Sequence, residues 1–205
     1  KLDNLNPYTV DNVKIRYYGE NCAKGYAMGL DVKFFGEFVP GTDSWISFSL
    51  MKAQQTIRET TTVPMANSQG YNISLFFQDY FPGYKRVKLN LKGVLSGGLP
   101  QTIPGKGYEA GYFRTPAYKR VDIGLSYKLA GDTDAIMDRG FFRHLKNIWL
   151  GLDVFNILDI KNVSSYYWIT DVYNVQYAVP HYLTGIFKHI YWEIKTKNYF
   201  LIHKK

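Results

Sequence analysis

The sequence predicts an all-β fold, an antiparallel up-and-down transmembrane β-barrel segment of seven or eight strands. Three observations predict it. Segment after segment alternates apolar and polar residues with a period of two, the pattern of a strand with one greasy and one wet face. Aromatic residues make up 17% of the 205 residues, with 18 tyrosines, and such residues favour strands and the boundary between apolar matter and water. Connections between the strands are alternately short and long, as in an outer-membrane barrel, whereas a soluble sandwich has no reason to keep its long loops on one side.

The elements follow in order. Residues 1–24 are polar and turn-rich, with a short strand expected at 12–18, where Val13, Ile15 and Tyr17 alternate with Lys14 and Arg16. Asn21 to Gly25 breaks that strand, and residues 26–38 form the clearest one. Leu30, Val32, Phe34 and Phe38 share one face, and Asp31, Lys33 and Glu37 the other. VPGTDS then turns tightly, because Pro fixes φ and Gly permits positive φ. Strand 45–53 sets Ile46, Phe48 and Leu50 against Ser47 and Ser49. Residues 54–69 lack periodicity and are expected to be a loop. Strand 70–80 sets Tyr71, Ile73, Leu75 and Phe77 against Asn72, Ser74 and Gln78. A second Pro-Gly turn, FPGYK, leads to strand 86–95, with Val87, Leu89, Leu91 and Leu95 opposite Arg86, Lys88, Asn90 and Lys92.

A Gly/Pro-rich loop is expected over 96–114. Strand 118–129 sets Val121, Ile123, Leu125 and Leu129 against Arg120, Asp122, Ser126 and Lys128. Residues 130–146 carry mixed charge with a short helical turn expected at Asp134–Arg139. In strand 147–156, Ile148, Leu150, Leu152 and Val154 oppose Trp149, Gly151, Asp153 and Phe155. Asn156–Asp159 breaks the rhythm, and a long aromatic loop follows to Gly185. Beyond it Ile190, Trp192 and Ile194 alternate with His189, Tyr191, Glu193 and Lys195.

The apolar face is expected to meet outer-membrane lipid and the polar face to line a lumen. Lipid offers no hydrogen-bond partner, so a sheet crossing it must close. The expected lumen-facing residues are Asp31, Lys33, Glu37, Arg86, Lys88, Lys92, Arg120, Asp122, Asp153 and Lys128. Tyr80, Phe81 and Tyr84 at one short turn, Phe38 and Trp45 at another, and Phe141 and Phe142 before a third strand are expected to form the girdle at one membrane interface. No run of about 18 apolar residues marks a transmembrane helix. The chain opens KLDNLNPY without a charged-then-apolar leader, which leads to the expectation that a leader was removed or that the chain is a piece of something longer.

The net charge of +8 is spread over strands and turns, so nucleic acid is not an expected partner. No enzymatic role is expected. His144, His181, His189 and His203 lack metal-ligand spacing. Ser164 and Ser165 lack a G-x-S-x-G context. SGGLPQTIPGKG is not a phosphate loop, and Cys22 has no basic neighbour before Lys24. Asp31 with Lys33, and Arg120 with Asp122, suit ion pairing better than acid–base work. No metal and no cofactor are expected.

Three pieces, ENCAKGYAMGLDVKFFGEFVPGTDSWISFS, RVDIGLSYKL and WLGLDVFNILDIKNVSSYYWITDVYNVQYAVPHYLTG, together resemble the C-terminal barrel of TonB-dependent outer-membrane receptors, over about Lys14 to Gly185. In that family an up-strand, F-N-[IL]-[LF]-D, an aromatic loop and P-x-x-x-x-G precede the final strand. The resemblance implies a barrel of about 22 strands with an N-terminal plug, in the cell outer membrane of a Gram-negative bacterium. It implies energised import, through the TonB complex, of a scarce ligand: a metal chelate, a vitamin or an oligosaccharide. It also implies short turns on the periplasmic side and long loops outside, so that Tyr166, Tyr167, Trp168, Tyr173 and Tyr177 are expected to face ligand. On this division residues 1–24 are a loop and partial strand, 25–185 the barrel portion, and 186–205 an atypical final strand and tail. The plug, the TonB-contacting segment and the remaining strands are not in this chain, so it is not expected to transport alone. The departure from the family's ending after Gly185 leads to the expectation of a truncated or frameshifted product. Two other readings stay open: an autonomous eight-stranded outer-membrane barrel with a structural or adhesive role, and a soluble β-barrel holding an apolar ligand inside. Residues 12–18 are expected not to pair with 187–196.

Overall fold

The computed structural model describes residues 2–11, 14–39, 42–104, 106–108, 111–131 and 133–197, with the side chains of residues 11, 38 and 39 left out. The strands are β1 (Leu2–Leu5), β2 (Tyr8–Asp11), β3 (Lys14–Tyr17), β4 (Ala23–Val39), β5 (Thr42–Ile57), β6 (Thr61–Pro64), β7 (Tyr71–Phe81), β8 (Tyr84–Ser96), β9 (Pro100–Thr102), β10 (Tyr112–Arg114), β11 (Tyr118–Gly131), β12 (Leu145–Phe155), β13 (Val163–Thr170), β14 (Gln176–Tyr182) and β15 (Phe187–Thr196). The fold is all-β and antiparallel. One sheet runs β1-β4-β5-β7-β8-β11-β12-β15, with β6 attached to β5; β2-β3, β9-β10 and β13-β14 are separate hairpins.

The sheet does not close among the described residues. β15 pairs only with β12. On its side away from β5, β4 meets only β1, at Ala23 and Gly25. Residues 14–17 pair with 8–11 instead of joining the sheet; residues 12 and 13 lie outside the described residues.

Alternation sorts the side chains as the sequence predicts. On one face Val32, Phe48, Ile73 and Leu95 stand in a row across β4, β5, β7 and β8, and Leu89, Leu125, Leu152 and Ile190 form another across β8, β11, β12 and β15. On the other face Gln78, Asn90, Gly124, Asp153 and His189 stand in register. Among the described residues nothing covers the apolar face: Leu30 is 59% exposed, Phe34 67%, Trp192 63% and Ile190 69%. By contrast Ser126 and Trp149 on the polar face are buried, Ser126 beside the Tyr191 hydroxyl and Trp149 beneath Lys88 and Lys128.

What hydrophobic core exists sits at the two ends. Where the long connections gather, Ala23, Ile57, Val63, Ala66 and Tyr108 are buried, with Leu5, Tyr8, Val10, Tyr18 and Cys22 packed against them. At the short-turn end Ala130, Met137 and Leu145 are buried against Ile148.

Several expectations need correction. Residues 54–69 are not one loop: β5 runs on to Ile57, and β6 pairs back from Ile57↔Thr61 to Gln54↔Pro64. The turn between them has Arg58 at φ 47° and Glu59 at φ 60°, closed by the Thr60 N–H donating to the Ile57 carbonyl at 3.1 Å. Two positive φ values make a type I′ geometry, which Asn-Gly usually signals, so Arg-Glu concealed it. Loop 96–114 contains the β9-β10 hairpin, and the aromatic loop after Asn156 contains the β13-β14 hairpin. The helical turn expected at Asp134–Arg139 is a 3₁₀ turn at Ala135–Asp138, followed by another at Gly140–His144. Of the proposed girdle, Trp45 pairs with Phe76 and Tyr80 with Lys88 on the polar face; Phe81, Tyr84, Phe141 and Phe142 are exposed, and the side chain of Phe38 lies outside the described residues.

Candidate functional site

The polar face is built from β4, β5, β7, β8, β11, β12 and β15. Register places Asp31, Lys33, Lys88, Lys92, Arg120, Asp122, Asp153 and Lys128 there. Arg86 continues the same parity along β8 and pairs with Asp134 across the short-turn end. Glu37 follows Gly36, beyond which the β4–β5 register shifts, and it is exposed. The cations do more than line a surface. Lys33 lies 4.9 Å from the ring centroid of Trp45, Lys92 5.9 Å from Phe76, and Arg120 5.2 Å from Phe155. Lys88 lies 4.5 Å from Trp149 and 5.2 Å from Tyr80, and Lys128 5.1 Å from Trp149. Each ring draws a cation by its quadrupole, which explains why this face is rich in aromatics as well as charge.

Glycines on this face admit large neighbours. A Cβ on Gly151 would lie 2.2 Å from the Tyr191 ring, so Tyr191 crosses over Gly151 and its hydroxyl meets the Ser126 hydroxyl at 3.1 Å. The Tyr191 ring also stacks on His189, at 5.7 Å between centroids. At Gly124 a Cβ would meet Asp153 at 2.3 Å.

The break after β12 is an arrangement of buried polar groups. Asn156 takes φ 51° and is buried, ending the strand in a conformation that Asn tolerates better than most residues. Its N–H donates to Asp122 Oδ1 at 2.8 Å, and the same oxygen accepts from Arg120 Nε at 2.7 Å. Asn156 Nδ2 donates to the Ile160 carbonyl at 3.1 Å, while its Oδ1 accepts from the Ile160 N–H at 3.2 Å. Asp159 accepts from the Ile186 N–H at 3.3 Å, in space that only a glycine at 185 leaves open, since a Cβ there would meet Asp159 at 2.6 Å. Asn162 acts as an extra strand residue for β11: its side chain accepts from the Lys119 N–H at 2.9 Å and donates to the Lys119 carbonyl at 2.7 Å. The residues of F-N-I-L-D and the distant Gly185 thus close one turn.

From this turn rises the β13-β14 hairpin, with Asp171 holding its tip by accepting from the Tyr173 and Val175 N–H groups, each at 2.9 Å. The five aromatics expected to face ligand divide. Tyr166 and Trp168 pack edge-on against Phe113 of β10, at 5.4 and 6.0 Å, and burial pushes the Tyr166 hydroxyl's pKa up. Tyr167 and Tyr177 lie on the opposite face of the hairpin, Tyr177 opposite Ile169 and Tyr167 opposite Val179. Tyr173 stands at the tip, 84% exposed. A second tie joins the connections at this end: Arg114 donates to the carbonyls of Ser68 at 2.6 Å and Gly98 at 2.9 Å.

At the short-turn end the Gly131 N–H donates to Asp134 at 2.9 Å. That bond, with Arg86 second, holds the Asp134 carboxyl below its ordinary pKa. Among the described residues no group of three or more His, Cys, Asp and Glu could hold a metal ion, and no helix is long and apolar enough to cross a membrane. The pairing of cations with rings, the Asn162 strand mimicry and the buried Tyr108 have no spacing signal in the sequence. Comparison with known protein families, curated proteins and solved structures found no match.

Proposed function

We propose that the chain is the C-terminal part of the barrel of an outer-membrane TonB-dependent receptor, which binds and imports a scarce ligand from outside. The carrying observation is that an apolar face spanning β4 to β15 is uncovered while the charged, hydrogen-bonded face is its opposite. A soluble sandwich or barrel buries the greasy side; leaving it outward is favourable only where the surroundings are apolar too. The two open edges support a part of a larger barrel over an autonomous one, because an unpaired edge in lipid leaves backbone groups unsatisfied. The Asn156–Gly185 turn and the hairpin it carries support the resemblance at the residues that define it. On this reading the end bearing β13-β14 is external and meets ligand, the short-turn end is periplasmic, and import requires the plug and the remaining strands.

The test is fluorescence quenching by brominated lipid after reconstitution with a tryptophan-free chain that supplies the remaining strands, in variants that keep one tryptophan each. Trp192, on the apolar face, should be strongly quenched, and Trp149, on the polar face, spared. Equal quenching of the two, or a chain that stays folded and monodisperse in plain buffer without detergent, would overturn the membrane reading.

A further inference from the structure

Near the short-turn end of the polar face, two lysines converge on one indole. Lys88 stands opposite Ser126, and Lys128 opposite Trp149. The ammonium groups lie 4.5 and 5.1 Å from the Trp149 ring centroid, and Tyr80 flanks Lys88 on its other side at 5.2 Å. Trp149 is only 4% exposed, so its ring is a fixed floor. A ring face attracts a cation but offers no lone pair to the three N–H donors of an ammonium. Among the described residues neither lysine has a carboxylate within 4 Å or a hydrogen-bond acceptor. Of the carboxylates nearby, Asp134 is paired with Arg86 and also acts on Lys128 through space, and Glu193 is paired with Lys195. Beside them opens a recess of about 550 Å³ lined by the β7–β8 turn, with Asp79, Tyr80 and Lys85, and by Lys128; Lys88 adjoins it through Tyr80 and is not part of its lining.

We propose that the Lys88–Lys128 pair beside this recess binds a multivalent oxyanion, a small solute carrying phosphate groups or several carboxylates, with the two ammoniums as the charged ligands and Trp149 as the surface that presets them. Holding both side chains against one ring before binding removes rotamer freedom that a ligand would otherwise have to freeze. Two ammoniums favour a multiply charged anion over chloride, which carries a single charge and competes through screening. The inference does not depend on what covers the apolar face, and so stands apart from the receptor reading.

The probe is sodium tripolyphosphate, added to the full chain in neutral detergent at constant ionic strength, with lysine acetylation followed by mass spectrometry. Acetylation of Lys88 and Lys128 should slow about tenfold near saturation, while Lys119 and Lys188 react as before. Citrate tested the same way separates the two sources of charge: protection by both anions assigns oxyanions generally, protection by tripolyphosphate alone assigns phosphate. No protection, or equal slowing at all four lysines, would overturn the site. In a second arm, the tripolyphosphate-induced change in tryptophan emission should be lost in Lys88→Gln/Lys128→Gln and kept in Lys88→Arg/Lys128→Arg. Loss in both pairs with an unchanged circular dichroism spectrum would overturn a role for charge. The acetylation pattern of the unmodified chain decides the matter even where a variant fails to fold.

Discussion

At the scale of single residues, Asp122 joins two strands to the turn that follows them. Its Oδ1 holds Arg120 and the Asn156 N–H together. Asp122→Ala leaves that backbone donor without its acceptor beside a buried side chain, and should cost about 1–3 kcal/mol, read as a lower urea midpoint in micelles and faster amide exchange at Asn156. Gly151→Ala drives a Cβ into the Tyr191 ring. The ring is the far end of a side chain and can swing away, so the expected cost is the lost Ser126–Tyr191 bond, about 1 kcal/mol; Ser126→Ala on top of it should add little. Tyr108 is 1% exposed, and burial, with Tyr8 and Tyr18 nearby, pushes its pKa up to about 12. The unfolded chain ionises this phenol near pH 10 while the folded one holds its proton, so stability is full below about pH 10 and falls as pH rises toward 12. Tyr108→Phe should flatten that alkaline slope.

At the scale of elements, the β5–β6 hairpin and the β13-β14 hairpin show two ways to build a connection. The first relies on backbone strain held in place: Arg58 and Glu59 take positive φ, and the Arg58 N–H is anchored by donating to the Cys22 carbonyl at 2.9 Å. Arg58→Asn/Glu59→Gly should stabilise the chain by about 1 kcal/mol, measured by the same urea midpoint, because the Lys24–Glu59 and Arg58–Glu20 pairs it removes are well exposed and such pairs contribute little. The second hairpin relies on packing. Tyr166 and Trp168 rest on Phe113, which ties it to β9-β10. Phe113→Ala should therefore shift Trp168 emission to the red and quicken amide exchange in β13, without disturbing β12.

At the scale of the whole molecule, stability lies in the ladder and in the two end clusters, not in a central core. Hydrogen exchange should show this directly. Amides of β8, β11 and β12, paired on both sides, should exchange slowest. In β15 the amides directed at β12 should be protected and the alternate ones, directed away, should exchange quickly. Adding a chain that supplies the missing strands should protect that second set if the barrel reading holds.

Much of this was legible in the residues. The two-residue rhythm of Leu30–Phe34, Val87–Leu91, Val121–Leu125 and Ile148–Val154 determines which side chains share a face, because a strand's geometry admits no other sorting. The seven long strands and the alternation of short turns with long connections followed from it. Strand content inside the connections was not legible: Arg58-Glu59 disguises a turn, and β9, β10, β13 and β14 are short hairpins whose pairing depends on what they rest against. Spacing already gives Trp45 and Tyr80 the parity of the polar face, but it could not bring Asp122 to Asn156 or set Lys88 and Lys128 on the same indole. Those contacts join residues on different strands, so they depend on register, and register is fixed only when the whole sheet has assembled. The sequence by itself determined that this chain forms strands with one wet and one greasy side. Only the tertiary structure decided that the greasy side stays open, because covering it requires a partner or medium that no alternation pattern specifies.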